Sequence, residues 1–308
     1  MNKQWILIAL IVVVLIVAST VSNVLIQRHG RTQTLDNLVQ RVNAWWMMIA
    51  VLILAFLSGR MGTVILFMLV SFVALREFLT LIYRSKADYY VLVGVYYLIL
   101  PLQYWFIYDA WYGMYTIFIP VYGFLLMPIV ASLAGDTGQF LMRSAKIQWA
   151  LMISVFCISH VPALLDLKFE GYRATIGLLI FLLVVVQGSD VLQYIVGKLW
   201  GKRKIAPRLS PSKTVAGTFG GIAAATLLAA ALWWITPFSP VEAGLLGLLI
   251  AIMGFLGGLV MSSIKRDIGV KDWGSMIPGH GGMLDRIDSL CFAAPVFFHV
   301  VRYFWRAG

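Results

Sequence analysis

Acidic, basic and glycine residues crowd together from Ser262 to Leu290, in a chain where only 12% of residues are charged. Lys265 and Arg266 close one apolar stretch, and Asp285, Arg286 and Asp288 open the next. Between them come Asp267, Lys271 and Asp272, then the bend Pro278, Gly279, His280, Gly281 and Gly282. A glycine-rich bend ahead of a helix lets backbone N–H groups approach a phosphate closely. Asp285 and Asp288 are three apart and share a helix face. Such a carboxylate pair suits magnesium, which takes oxygen ligands together with substrate phosphates. His280, flanked by glycines, is better placed to contact phosphate or order the loop than to act as a general base. The plainer reading is a solvated loop between ordinary helix ends.

A second polar segment runs from Gln187 to Gly221. Asp190 lies late in a long apolar run, where an unpaired carboxylate is expensive, so it calls for a metal, a cation or water. Tyr194, four residues on, shares its helix face. Lys198, Lys202, Arg203 and Lys204 form a basic rim, and Ser210, Pro211, Ser212, Lys213 and Thr214 a turn-like phosphate-binding candidate. The competing reading is a positive cap that only fixes membrane orientation. The four histidines are scattered and form no zinc motif: His29 and His299 read as structural or interfacial, and His160 as a satisfied polar residue in an apolar span. Cys157 and Cys291 lie in apolar sequence and read as small core residues.

The elements that carry these segments are apolar. The chain has 308 residues, 61% of them hydrophobic; soluble domains carry about twice its charged fraction. A hydrocarbon core of roughly 30 Å needs about 20 apolar residues per helix. Spans are expected near 5–26, 44–58, 61–82, 89–108, 113–133, 148–166, 173–197, 215–236, 241–264 and 288–304. The fold class is therefore all-α, a polytopic transmembrane bundle of about ten spans. Helices within 1–133 precede a second set within 134–308 that bears the polar loops, and both belong to one integral domain. The first span is expected to be retained rather than cleaved as a signal. The net charge of +11 fits anionic headgroups or phosphate ligands, and no pattern of a nucleic-acid module is present.

Most of the 24 lysines and arginines fall in the odd-numbered loops. The opposite face and the termini hold Lys3, Arg60, Lys168, Arg173, Arg302 and Arg306, and Arg76 lies within a span. Positive loops prefer the cytoplasm, which places both polar segments there and both termini outside.

The two segments resemble the phosphatidate cytidylyltransferase family, also called CDP-diacylglycerol synthases. The C-terminal block matches through Ser262, Lys265, Arg266, Lys271, Asp272, Pro278, His280, Gly281, Gly282, Asp285, Arg286 and Asp288. The upstream block adds Asp190, Tyr194, Gly197, Gly201, Lys202, Lys204, Pro207, Ser210, Pro211, Lys213, Thr214 and Gly217. A weaker echo is Arg76-Glu77-Phe78, read as lining a lateral lipid path or as an internal ion pair. The chain departs from the family pattern at three acidic positions, where it has Ala216, Gly258 and Met261. The segment from Ala134 to Gln148, with Asp136, Arg143 and Lys146, is a candidate for replacement contacts or a plain connecting loop.

The resemblance implies transfer of CMP from CTP to phosphatidate, with pyrophosphate released. It implies Mg2+ on Asp190, Asp285 and Asp288, and phosphates on Lys213, Lys265, Arg266, Lys271 and Arg286. Asp267 and Asp272 would order these basic groups or bind outer-sphere water. The alternatives are a cytidylyltransferase for another lipid phosphate, a CTP-dependent lipid-alcohol kinase, and a non-enzymatic membrane scaffold. A bacterial inner membrane is the implied location, and a homodimer is one assembly the sequence leaves open. A topology reporter fused to either terminus is expected to report from outside the cytoplasm; a cytoplasmic signal from either one refutes the ten-span orientation.

Overall fold

The computed structural model describes residues 3–30, 32–82, 85–169, 172, 176–276 and 281–305. Helices dominate: α1 (Lys3–His29), α2 (Gln33–Leu57), α3 (Gly59–Leu81), α4 (Tyr89–Tyr108), α5 (Tyr112–Leu133), α6 (Phe140–Asp166), α7 (Ile176–Trp200), α8 (Val215–Ala231), α9 (Pro240–Ile268) and α10 (Leu284–Trp305). Among the described residues, nine of these are long and apolar enough to cross a membrane, and α8 is a shorter apolar helix. At 17 residues, α8 is only about 25 Å long. The span expected at 215–236 therefore stops early and passes into a single 3-10 turn, Trp233–Ile235.

Two other boundaries move towards the N-terminus. The short span expected at 44–58 belongs to α2, which starts at Gln33 because the Thr32 side chain accepts a hydrogen bond from Leu35 N. The span expected from 148 starts at Phe140. Within α4, α5 and α6 the helix widens into single π-helical turns at Val95–Ile99, Phe118–Gly123 and Met152–Cys157. The second of these contains Pro120, whose missing N–H cannot join the usual ladder.

One departure from helix matters for function. The segment read as a turn is a short antiparallel hairpin, β1 (Lys204–Ala206) with β2 (Ser210–Thr214), between α7 and α8. Thr214 then caps α8, its hydroxyl oxygen accepting from Gly217 N at 3.1 Å. Glycines let α7 and α8 cross closely there. A Cβ on Gly217 would lie 2.7 Å from the Gln193 carbonyl oxygen, and one on Gly221 would lie 2.5 Å from Gln193 Cα.

α9 is fixed at both ends. Ser239 and Glu242 form a reciprocal capping box at its start, and Gly269, with φ of 83°, ends it just after Lys265 and Arg266. The start of α10 is held by a residue far away in sequence. Glu77 on α3 is buried, and its two carboxylate oxygens accept from Met283 N at 2.8 Å and Leu284 N at 2.9 Å. A carboxylate at a helix N-terminus satisfies orphan N–H groups and complements the helix dipole. Arg76 is exposed, and among the described residues no ion pair joins it to Glu77. The expected Arg76–Glu77 pair is thus replaced by a helix cap.

Glu77→Ala leaves two N–H groups at the start of α10 without their acceptor, the Leu284 one buried, and is expected to cost roughly 2–3 kcal/mol. Thermal unfolding of the detergent-solubilised protein measures this. An unchanged melting temperature would contradict the capping role.

Candidate functional site

The C-terminal loop is organised around Asp285. Its Oδ1 accepts from Lys265 Nζ at 2.8 Å, and its Oδ2 accepts from Trp273 N at 2.8 Å and Gly282 N at 3.0 Å. The ion pair is largely shielded, with Lys265 and Asp285 side chains 11% and 5% exposed. Trp273 is buried and stacks on Phe78 with ring centroids 4.8 Å apart. Gly281 has φ of +81°, and a Cβ there would stand 2.8 Å from Asp285 Oδ2. Gly282 packs so closely under Glu77 that a Cβ would lie 2.5 Å from Oε2. The glycine pair is therefore required by the shape of the bend, beside any role it has toward a ligand.

Asp288, one turn further on, faces a different group. Asp190 of α7 lies within electrostatic range of Asp288, and both lie within range of Lys213 at the end of the hairpin. Lys265 adds to the field at Asp288, and Arg286 to that at Asp190. Ser289 braces Asp288: its N–H donates to Asp288 Oδ1 at 2.8 Å, and its hydroxyl lies 3.5 Å from the same oxygen. Gln187 Nε2 donates to the Arg286 carbonyl oxygen at 3.0 Å, holding α7 against α10 at this level. Lys213 Nζ lies 4.8 Å from the centre of the Phe255 ring.

The two polar segments thus converge on one end of the bundle. Asp190, Lys213, Lys265, Asp285, Arg286 and Asp288 are brought together. Asp285 is already engaged by three donors, whereas Asp288 Oδ2 takes no part in the hydrogen bonds of the described residues. No cluster of three or more His, Cys, Asp or Glu side chains able to hold a metal occurs among the described residues. A divalent ion would draw on Asp190 and Asp288 and on oxygens from elsewhere, which fits magnesium's habit of keeping waters and substrate phosphates.

The remaining residues singled out in the sequence fall around this core. Arg266 is exposed and joins the loop to the hairpin, donating to the Leu209 carbonyl oxygen at 3.3 Å and the Val270 carbonyl oxygen at 3.2 Å. Asp267, Lys271 and Asp272 are exposed, as are Tyr194, Lys198, Lys202, Lys204 and Ser212, while Ser210 is half-buried. Thr214 serves as the cap of α8, and Ser262 donates to the Gly258 carbonyl oxygen one turn back in α9 at 2.7 Å. His280, with Pro278 and Gly279, lies outside the described residues.

The Ala134–Gln148 segment makes its own knot. Buried Arg143 pairs with Asp88 and with Asp136, each at 3.1 Å, and also donates to the Gly138 carbonyl oxygen. The Ser85 hydroxyl and the Gly138 N–H hold the Asp136 carboxyl below its ordinary range. These contacts tie two loops together, so the connecting-loop reading describes the segment. Sequence reasoning missed Trp273, Ser289 and Gln187 as organisers of the site. Only Gln187 offered a signal, as a polar residue late in an apolar run.

Comparison with known proteins follows this geometry. The model of the cytidylyltransferase family matches residues 39–304. The chain is 40% identical over 280 residues to the uncharacterized protein YnbB of Escherichia coli (strain K12), covering 90% of each. It is 42% identical over 129 residues to the phosphatidate cytidylyltransferase of Synechocystis sp., covering 41% of this chain and 44% of that enzyme. The Bacillus subtilis phosphatidate cytidylyltransferase is 42% identical over 123 residues, with 39% of this chain and 46% of the enzyme covered. The chain thus spans about half the length of the curated phosphatidate enzymes it matches.

The geometry separates Asp285 from Asp288. Asp285→Asn removes the partner of a shielded lysine and is expected to destabilise the fold by about 3 kcal/mol or more, seen as a lower melting temperature and faster proteolysis of the 265–285 loop. Gly281→Ala, forced into a left-handed conformation against Asp285, should act in the same direction. Unaltered proteolysis in both variants would refute the structural role.

Proposed function

Because the chain belongs to the cytidylyltransferase family, we propose that it transfers CMP from CTP to phosphatidate at the site where α7, the hairpin and α10 converge. The products are CDP-diacylglycerol and pyrophosphate. The observation that carries this reading is the meeting of Asp190, Asp288 and Lys213 beside a basic loop at one end of an apolar bundle. A lipid phosphate can reach that position with its acyl chains still in the membrane, and a soluble nucleotide can reach it from the aqueous side.

The chemical problem is repulsion. A phosphate oxygen of the lipid must approach the α phosphorus of CTP, form a P–O bond there, and displace the β phosphate with its bonding electrons as pyrophosphate. Both reactants are anionic, so cations fixed in advance lower the barrier most. Lys213 and Arg286 are the inner cations of the proposed site, and Lys271, Lys202 and Lys204 attract the nucleotide from the exposed rim. Lys265 is neutralised by Asp285 and serves chiefly to hold the loop. Asp190 and Asp288 would hold a magnesium ion, which supplies charge neutralisation at the phosphate oxygens when bound. Asp285 is better assigned to positioning than to metal. Ser289 orients the Asp288 carboxylate.

The protein is a multi-pass membrane protein, and a bacterial inner membrane with both polar segments in the cytoplasm is the proposed setting. Purified protein incubated with labelled CTP, Mg2+ and phosphatidate is expected to yield CDP-lipid and pyrophosphate in equal amounts. Asp288→Asn should lower turnover by about 100-fold or more with little change in melting temperature, in contrast to Asp285→Asn. Release of CDP with a phosphorylated lipid alcohol would establish the kinase alternative. CTP binding without product on any lipid phosphate would establish a scaffold.

A further inference from the structure

Lys213 is a cation at the heart of the site with no carboxylate within 4.0 Å among the described residues. It lies over the Phe255 ring, 4.8 Å from its centre. The reason is the residue beneath it. Gly258 offers no side chain, and a Cβ built there would lie 3.1 Å from Lys213 Nζ and 3.7 Å from Ser289 Oγ. An acidic side chain at 258 would reach the ammonium directly and would add a third carboxylate beside Asp190 and Asp288. Glycine at this position does two things at once: it adds no ion-pair partner within reach of the ammonium, and it keeps the pocket at two carboxylates, Asp190 and Asp288.

The rest of α9 shows that the small residues there do different work. A Cβ on Gly257 would lie 2.7 Å from Phe292 Cβ, and one on Gly254 would lie 3.4 Å from Ser289 Cβ. Those two glycines let α9 pack against α10. At Gly258 the space is filled by the flexible end of a lysine, which can move. The absence of a side chain at 258 is thus a matter of charge more than of packing.

We propose that Gly258 sets the charge of the pocket, freeing the Lys213 ammonium to bind a polyphosphate directly and limiting the pocket to one divalent cation, between Asp190 and Asp288. The proposal deepens the transferase reading and rests on it for the identity of the nucleotide. In this arrangement Lys213 takes a place that an additional carboxylate and its cation would otherwise fill. The bound species it recognises is the triphosphate, whatever base is attached.

The test uses the full chain in lipid nanodiscs, with Mn2+ as a spin probe and both inorganic triphosphate and CTP as titrants. Wild type is expected to bind one Mn2+ per chain, and Asp288→Asn to lose it. Lys213→Met should weaken triphosphate binding by about tenfold or more, as expected for loss of a charge-assisted hydrogen bond, and Lys213→Arg should restore most of it. Gly258→Asp should weaken triphosphate binding as much as Lys213→Met, and Gly258→Ala should leave it within about threefold of wild type, separating charge from bulk. Should Gly258→Asp fail to fold, the Lys213 series and the Mn2+ count decide. Two Mn2+ per wild-type chain overturns the proposal, as does triphosphate affinity unchanged in Lys213→Met or raised in Gly258→Asp. Wild type that binds triphosphate through Lys213 but makes no CDP-lipid refutes the transferase reading and supports this one.

Discussion

The site depends on one carboxylate that performs no proposed chemistry. Asp285 takes a lysine ammonium on one oxygen and two backbone N–H groups on the other. Those three donors come from the end of α9, from the middle of the loop and from the turn before α10. One side chain therefore closes the loop at three points, which fixes where α10 begins and hence where Asp288 points. An exposed ion pair contributes little, but a shielded one is costly to break because the surviving charge is stranded. The loop is held by that asymmetry. Glu77 adds a second brace from behind, capping α10 from α3.

With the loop pinned, close helix approach brings the charged groups together. α7 and α8 cross through Gly197, Gly217 and Gly221, while α9 and α10 meet through Gly254 and Gly257. Small residues suit helix contacts in a membrane, where no hydrophobic force drives one helix onto another. The crossing of α7 and α8 also sets the hairpin that delivers Lys213, since Thr214 at its end packs against Gly197 and Gly201. Much of the glycine in the two polar segments thus serves backbone approach. This explains why a glycine-rich bend is a poor phosphate signature until its φ angles and neighbours are known.

The parts of the fold legible in the sequence were those set by local composition. Long apolar runs marked the helices, and the density of charge and glycine marked both polar segments. What composition does not encode is which of two similar residues meets which partner. Asp285 and Asp288 sit on one helix face by spacing, so both read equally well as metal ligands. Only the position of Lys265 and of the Trp273 backbone separates them. Glu77 was visible as an expensive carboxylate in an apolar span, but its partners lie more than 200 residues away in the chain, and its neighbour Arg76 offered a false local one. The hairpin was hidden for another reason: two strands of three and five residues carry too little alternation to register against a proline- and lysine-rich turn.

The three acidic positions that this chain lacks can now be told apart by where they stand. Met261 is fully buried in the apolar core, so the exchange there trades charge for packing and removes a carboxylate that would have needed a partner inside the bundle. Ala216 lies in the first turn of α8, where an acidic side chain would favour the helix dipole; Thr214 already caps that turn through Gly217 N, so the structure can spare it. Gly258 adjoins a charged group of the site, since a side chain there would meet Lys213. One departure therefore alters the core, one a helix end, and one the electrostatics of the pocket.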